Sequence, residues 1–171
     1  MRRKKIIPLI LLVSFLAVTF YIPWKKAFIF TEQRSENPMR YFVPISKEQT
    51  FQIRYVHSIH LTDVIETYEV MEDLQIGLLS MQYEDVAIGL PSYAEEGETL
   101  TIENGLYTLT YDENMIDSFV LFIGDIDAEL AFRYLGDEID LKQHLIRGKS
   151  YKFHIQRLSF YQMLKGVNLN G

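Results

Sequence analysis

Runs of alternating apolar and polar residues recur along most of the chain and restrict its fold more than any other feature. Phe51, Ile53 and Tyr55 follow one another at a spacing of two, and the same spacing recurs around Tyr68. Successive side chains of a β-strand point to opposite faces, so this spacing predicts strands with one buried face. The continuous apolar run at residues 119–123 predicts a central strand. Strand-like runs lie at residues 27–33, 51–57, 64–70, 75–84, 99–103, 106–111, 119–123, 130–135 and 151–158.

Turn and capping residues separate these runs. Asn104-Gly105 is the strongest short hairpin signal in the chain. Residues 140–146 predict a short helix with Asp140 as its N-cap, and residues 159–165 predict either a second short helix or a last strand. Together with the strand pattern, these signals predict an all-β domain, either a β-sandwich or a barrel-like fold, with one or two short helices.

An uncharged segment near the N-terminus predicts a membrane anchor. Ile6–Trp24 holds 19 residues without a charge and follows the basic tail Arg2–Lys5. At about 1.5 Å per residue it would reach roughly 28 Å, close to the thickness of a hydrocarbon core. Its length, and the lack of a small-residue cleavage site after it, favour a retained anchor over a cleaved signal peptide. The basic tail predicts a cytoplasmic N-terminus. We therefore expect a single-pass protein of the cell membrane. Residues 1–26 form the basic cytoplasmic tail and the anchor, residues 6–24 lie in the lipid bilayer, and residues 27–171 form an extracytoplasmic domain.

Charge and composition exclude several classes of function. Residues 1–26 hold six Lys and Arg and no acid, which leaves 11 basic and 23 acidic residues in the remainder. Such an acidic domain argues against nucleic acid as a partner, because phosphate requires a basic face. The chain has no cysteine, which excludes disulfides, thiolate metal sites and cysteine nucleophiles. His57 and His60 lack a third clear metal ligand, so we predict no metal site and no cofactor.

Polar residues interrupt two of the apolar stripes, and they are the candidate site. A hairpin centred between residues 61 and 62 would place His57 opposite Glu66 on the inner face. This pair predicts either a structural hydrogen bond or the floor of a small-molecule site that includes Ser58 and Tyr55 or Tyr68. Ser58 is adjacent to His57, so in a strand its side chain points to the other face, which opposes a Ser–His couple for hydrolysis.

The same residues, with a later turn, resemble a known bacterial family. His57-Ser58, then Glu66 with an aromatic two residues later, then Gly89-Leu90-Pro91 follow the order seen in the uncharacterised family called domain of unknown function 1850. Ala87 stands where that family has the first glycine of its turn. The resemblance implies a small, membrane-anchored or exported protein, commonly found beside tripartite ATP-independent periplasmic (TRAP) transporters of the TAXI type. It implies no activity, and the roles of the matching residues are unassigned there.

These observations lead to three hypotheses for the function. The first is an extracytoplasmic accessory protein that assists a TRAP-type transporter by contacting its permease or its solute-binding protein. The second is a small-ligand binder or sensor that uses His57 and Glu66. The third and weakest is a hydrolase, because we expect no catalytic residues and no enzymatic activity.

Overall fold

The protein is mostly β, with its strands in two sheets. The computed structural model describes residues 11, 14–58, 61–84, 86 and 89–170. One sheet has five strands, which are β1 (Lys25–Glu32), β2 (Arg40–Pro44), β9 (Ser118–Phe122), β12 (Ser150–Leu158) and β13 (Val167–Asn168). Their order in the sheet is β13-β2-β1-β12-β9. Its pairs are antiparallel except for β13 with β2, which is parallel.

The second sheet has eight strands and is antiparallel throughout. Seven of them follow the order β11-β10-β3-β4-β5-β7-β6, and β8 pairs with β5 beside this path. Its strands are β3 (Thr50–Val56), β4 (Asp63–Val70), β5 (Ile76–Tyr83), β6 (Glu98–Glu103), β7 (Leu106–Tyr111), β8 (Met115–Ile116), β10 (Leu130–Tyr134) and β11 (Asp137–Asp140). The prediction of a mostly β protein is confirmed.

Two hairpins in the second sheet turn through residues with positive φ. Asn104 and Gly105 have φ of 52° and 83° and join β6 to β7, as the sequence predicts. Leu135 and Gly136 have φ of 57° and 84° and join β10 to β11 in the same way. A two-residue turn with both φ values positive matches the right-handed twist of the strands it joins. Leucine is a poor residue for this position, so β11 was not predicted.

The two sheets pack face to face around a core that is rich in aromatic rings. The ring of Phe28 on β1 lies 4.8 Å from that of Phe51 on β3 and 5.0 Å from that of Phe132 on β10. Phe153 on β12 lies 5.3 Å from Phe51. All four of these side chains are buried. Burial of each contributes about 1.5–3 kcal/mol to folding, so the contact between the sheets is the main source of stability.

The first sheet ends at β9, whereas the second sheet continues beyond it. Phe119 on β9 stacks at 5.3 Å on Tyr68 of β4, and the second sheet then extends through β5, β7 and β6. The prediction of a central strand at residues 119–123 is therefore wrong, because β9 is an edge strand. Phe119 and Leu121 face the core, while Val120 and Phe122 are exposed on the other side. A continuous apolar run does not distinguish this arrangement from a strand that is buried on both faces.

Two short helices lie within the segments 140–146 and 159–165, the second of which was predicted as either a helix or a strand. Helix α2 (Leu141–His144) begins at Asp140, whose side chain accepts a hydrogen bond from the Lys142 amide. Helix α3 (Phe160–Lys165) begins at Ser159 with a capping box. Met163 of α3 packs on the outer face of the first sheet, against a small cluster of Ala27, Ile29, Phe42 and Leu158.

Residues 14–21 are helical and are labelled α1. Residues 6–10, 12 and 13 of the expected membrane span lie outside the described residues. Within the part of the chain that the structure describes, none of the helices combines the length and the apolar content that crossing a bilayer requires.

Candidate functional site

The β3–β4 hairpin sets the neighbours of Glu66, and its register differs from the predicted one. Glu66 pairs with Ile53, Tyr55 pairs with Val64, and the strands end at the pair of Val56 and Asp63. The predicted cross-strand pair of His57 and Glu66 is therefore wrong by four residues along β3. A shift of four residues keeps every side chain on its face, so Glu66 does lie on the inner face as predicted.

Tyrosines surround the half-buried carboxylate of Glu66. The Tyr68 hydroxyl donates a 2.6 Å hydrogen bond to its Oε2 atom. The Tyr55 hydroxyl also hydrogen-bonds to Glu66, which lowers the pKa of the carboxyl, as does the bond from Tyr68. Burial outweighs both bonds and raises the pKa of Glu66 above its ordinary value. The cluster of Tyr55, Glu66 and Tyr68 is called the Glu66 cluster below.

The tyrosine hydroxyls of the Glu66 cluster stay protonated and act as hydrogen-bond donors. Burial, and after it the charge of Glu66, raises the pKa of Tyr55 and the pKa of Tyr68 well above the ordinary value of a tyrosine. Burial also raises the pKa of the nearby Tyr111 to about 12. The Tyr68 ring stacks between those of Phe51 and Phe119, at 5.1 and 5.3 Å. Rings held in this way cannot swing out to let solvent reach Glu66 without breaking core contacts.

An open apolar groove lies beside the Glu66 cluster, along the edge strand β9. The groove has a volume of about 400 Å³, within the range of small-molecule sites. Tyr55 contributes to its wall, so the hydroxyl that contacts Glu66 belongs to a groove residue. Lys142 lines it as well, with its Nζ atom donating a 2.7 Å hydrogen bond to the Ile126 carbonyl. The apolar lining is supplied mainly by Val120, Leu121, Phe122, Ile126 and Leu130.

His57 and Ser58 lie in the loop that follows β3, not in the strand. The His57 amide donates to the Thr62 carbonyl, and the His57 carbonyl accepts from the Leu61 amide, both at 2.9 Å. Leu61 has a φ of 57°, which lets the loop close over a short span. Ser58 is exposed. The structure therefore brings Tyr55, Glu66 and Tyr68 together as a cluster, while His57 and Ser58 belong to the adjacent loop.

The turn at Gly89-Leu90-Pro91 is fixed to the same end of the second sheet. Leu90 packs on Val64 and Tyr83, a small cluster that also contacts Tyr55. The Tyr83 hydroxyl donates a 2.6 Å hydrogen bond to the Pro91 carbonyl. Gly89 has a φ of 91°, which favours glycine. Gly89, Leu90 and Pro91 therefore lie next to the Glu66 cluster, and Ala87 lies outside the described residues.

Residues that the sequence did not single out complete the site. Phe119 stacks on Tyr68 of the Glu66 cluster from the opposing sheet, and Val120, Leu121 and Phe122 line the groove. Their only signal in the sequence is the apolar run at 119–123. Among the residues that the structure describes, no group of three or more His, Asp or Glu side chains is arranged to hold a metal ion.

A family model described as domain of unknown function (DUF1850) matches residues 51–141, which is more than half of the chain. The protein belongs to the DUF1850 family. The DUF1850 segment runs from β3 to the start of α2 and includes the Glu66 cluster, the Gly89–Pro91 turn and the edge strand β9. Neither the comparison with curated proteins nor the comparison with solved structures gives a match.

The DUF1850 segment does not contain the whole fold. It supplies the eight strands of the second sheet and only β9 of the first sheet, apart from Thr50 at the start of β3. Strands β1, β2 and β12 come from outside it and bury the other side of the core. The segment and its flanks therefore form one packed unit. All the groove residues except Lys142 come from the segment.

Proposed function

We propose that this protein is an extracytoplasmic binding module for a small solute with an apolar body. The observation that carries the proposal is the groove of about 400 Å³ along β9, one wall of which is Tyr55 of the Glu66 cluster. Apolar walls with a few placed polar groups are typical of small-molecule sites. Glu66 acts in this proposal as a positioning residue, because it accepts a hydrogen bond from Tyr55, which lines the groove.

The lining of the groove indicates the chemistry of the solute. Val120, Phe122 and Ile126 offer exposed apolar surface that nothing in the core requires. The polar side chains that line the groove are Tyr55, Lys142, Asp125 and Glu129, and Glu129 is paired with Arg54. A solute with an apolar body and one hydrogen-bonding end fits this set, because apolar contact supplies the affinity and the polar groups supply the orientation.

We propose that the module is held at the membrane by residues 6–24, with residues 27–171 outside the cytoplasm. The support is the charge-free length of Ile6–Trp24 and the basic tail before it. A reporter thiol added at Gly171 tests this topology, since the chain has no cysteine of its own. Labelling by an impermeant reagent in intact cells is expected. Labelling only after permeabilisation would contradict it.

The binding proposal is tested with the full chain in detergent and a library of small apolar alcohols and amides. We expect saturable binding by calorimetry, reduced about tenfold by Val120→Asp, since a buried apolar contact contributes roughly 1–3 kcal/mol. Ile102→Asp on β6 is the matched control, because Ile102 and Val120 are exposed to 58% and 56% and Ile102 does not line the groove. Equal losses in the two variants, or no saturable binding to the wild-type chain, would contradict the proposal.

A second candidate is an accessory protein that assists a TRAP-type transporter. The family resemblance suggests this role. The structural observation that favours it is the free edge of β9, which pairs only with β12 among the described strands. An edge strand with exposed apolar side chains can take up a strand or loop of a partner protein. Crosslinking in the native membrane is expected to recover a permease or a solute-binding protein. Wild-type solute uptake in a strain that lacks this protein would argue against the candidate.

Hydrolysis has less support than either binding role. The residue expected to orient His57 was Glu66, and Glu66 lies opposite Ile53. We therefore propose no catalytic role for His57 or Ser58.

A further inference from the structure

A second feature, remote from the groove, is an aromatic cluster where the N-terminal segment meets α3. The rings of Tyr21 and Tyr161 lie 5.1 Å apart, and those of Trp24 and Phe160 lie 5.2 Å apart. Phe20 also approaches Tyr161, at 6.3 Å. Trp24 and Phe160 remain exposed despite this contact. The cluster therefore covers little of the core and presents its rings outward.

Helix α3 has one face on the sheet and one apolar face that is uncovered. Met163 packs on the small cluster at the outer face of the first sheet. Phe160 and Leu164 are four residues apart, so they lie on the same side of the helix, and Leu164 is 77% exposed. A six-residue helix with two large exposed apolar side chains indicates a surface that contacts something other than the protein core.

Basic side chains border this aromatic surface. Lys165 places its Nζ atom 4.7 Å above the Tyr161 ring. Arg157 reaches the Trp24 carbonyl at 3.5 Å, and Lys25 and Lys26 begin β1 directly after Trp24. The domain as a whole is acidic, so a basic and aromatic surface at one end of it is a local departure. Aromatic residues with lysine and arginine beside them are typical of the boundary between lipid headgroups and acyl chains.

The chain passes from the N-terminal segment into the sheet without a linker. The Trp24 amide donates a 3.1 Å hydrogen bond to the Leu158 carbonyl, so Trp24 already extends the β1–β12 pairing. Leu158 is followed by Ser159, the N-cap of α3. A bilayer that holds residues 6–24 would therefore lie directly against α3.

We infer that Phe160, Tyr161, Leu164 and Lys165 of α3 form a second membrane contact, which seats the β domain on the headgroup region of an anionic bilayer. The inference rests on the proposed anchor at residues 6–24. The bilayer is the expected occupant because the surface is continuous with the exposed apolar side chains of α1 and carries the positive charge that attracts anionic lipid. This contact fixes which end of the domain faces the membrane. Phe122 of the groove pairs with Ser150, at the opposite end of β12 from Leu158.

The full chain reconstituted into vesicles with equal parts of phosphatidylcholine and phosphatidylglycerol provides the test. The chain has no cysteine, so Leu164→Cys and Ile146→Cys each accept a single nitroxide label. Ile146 is the matched control, because it is an exposed apolar residue beyond the other end of β12, with its amide bonded to the Tyr151 hydroxyl. We expect a several-fold lower collision rate with a water-soluble nickel complex at residue 164 than at residue 146, and a higher collision rate with oxygen.

The anchor has its own readout in the same vesicles. Trp24 is the only tryptophan, so its quenching by brominated lipids reports the end of the anchor alone. Quenching of Trp24 together with a shielded label at residue 164 supports the second contact. If Trp24 is quenched but the labels at residues 164 and 146 are equally accessible to nickel, the second contact is overturned and the anchor is still supported. An unquenched Trp24 overturns both. Retained β circular dichroism in each labelled variant verifies the fold.

Discussion

The hydroxyl of Tyr68 donates a 2.6 Å hydrogen bond to the carboxylate of Glu66, two residues earlier on the same strand. Residues two apart on a strand share a face, so the strand itself supplies both partners of this bond. The opposing sheet supplies the rest of the environment, because Phe119 of β9 stacks on the Tyr68 ring. A carboxylate on the inner face of a sheet is thus tolerated because a tyrosine beside it acts as donor.

Tyr68→Phe removes the donor and keeps the ring stack. We expect a loss of about 1–3 kcal/mol in the free energy of unfolding at neutral pH, because a half-buried carboxylate then lacks one of its hydrogen bonds. Urea denaturation of the full chain in detergent measures it. Tyr93→Phe, at an exposed tyrosine, is the control and is expected to change little. Equal stability of the Tyr68→Phe variant and the wild-type chain would contradict the role of this bond.

Glu66→Gln changes how stability depends on pH. Burial raises the pKa of Glu66 in the folded state, so the folded protein binds this proton more strongly than the unfolded chain does. By linkage, the stability contributed by Glu66 is fully present at pH values below the unfolded pKa and decreases as pH rises through the folded pKa. The glutamine variant lacks this decrease. Its stability relative to wild type should therefore increase as pH rises above the ordinary pKa of a glutamate. Denaturation curves in which the relative stability of the variant falls over that rise in pH would contradict the assignment.

Gly89→Ala tests whether the turn beside the Glu66 cluster requires glycine for its positive φ. Nothing lies within 4 Å of a Cβ atom added at Gly89, so the expected cost comes from its φ of 91° alone. We expect a loss of about 1–2 kcal/mol, measured by thermal unfolding. Gly124→Ala is the control, because Gly124 does not have a positive φ in that range and its nearest contacts are at ordinary distances. A loss in Gly89→Ala no greater than that in Gly124→Ala would show that the turn does not require glycine.

Arg54→Lys weakens an ion-pair network that ties β3 to its neighbours. Arg54 donates from Nε to Asp63 at 3.0 Å and from Nη1 to Glu129 at 2.6 Å, and its side chain is mostly covered. Lysine keeps the charge but cannot donate in two directions from a planar group. We expect a loss of about 1 kcal/mol at low salt that becomes smaller at high salt, since the carboxylates are partly exposed. Arg147→Lys, which affects the exposed pair with Asp127, should lose less at both salt concentrations.

Local signals in the sequence predicted most of the secondary structure. Asn104-Gly105 predicted a hairpin, and Asp140 was predicted to be a helix N-cap. Both predictions are confirmed, because turns and caps depend on a few neighbouring residues. Strand β2 was not predicted, although most of its residues are buried, because a five-residue run offers too few alternations to stand out. Strand β11 was missed because Leu135 occupies a turn position that leucine rarely takes.

The candidate site was predicted in part. Tyr55, Glu66 and Tyr68 lie together on the inner face, as the alternation of β3 and β4 indicated. The partner of Glu66 was wrong, since Ile53 rather than His57 lies opposite it. The groove was not predicted at all, because its walls come from β3, β9 and the segment after β9, which are far apart in the sequence.

The sequence by itself determined most of the strands, the buried face of those whose residues alternate, and the position of Glu66 on such a face. It determined this because a spacing of two depends only on each strand's own residues. The tertiary structure alone decided the register of β3 with β4 and the place of β9 at the edge of its sheet. A shift of two or four residues leaves the buried face unchanged, so the alternating pattern does not distinguish these registers. Contacts between the two sheets, such as the stacking of Phe119 on Tyr68, exist only in the folded arrangement and are not encoded in that pattern.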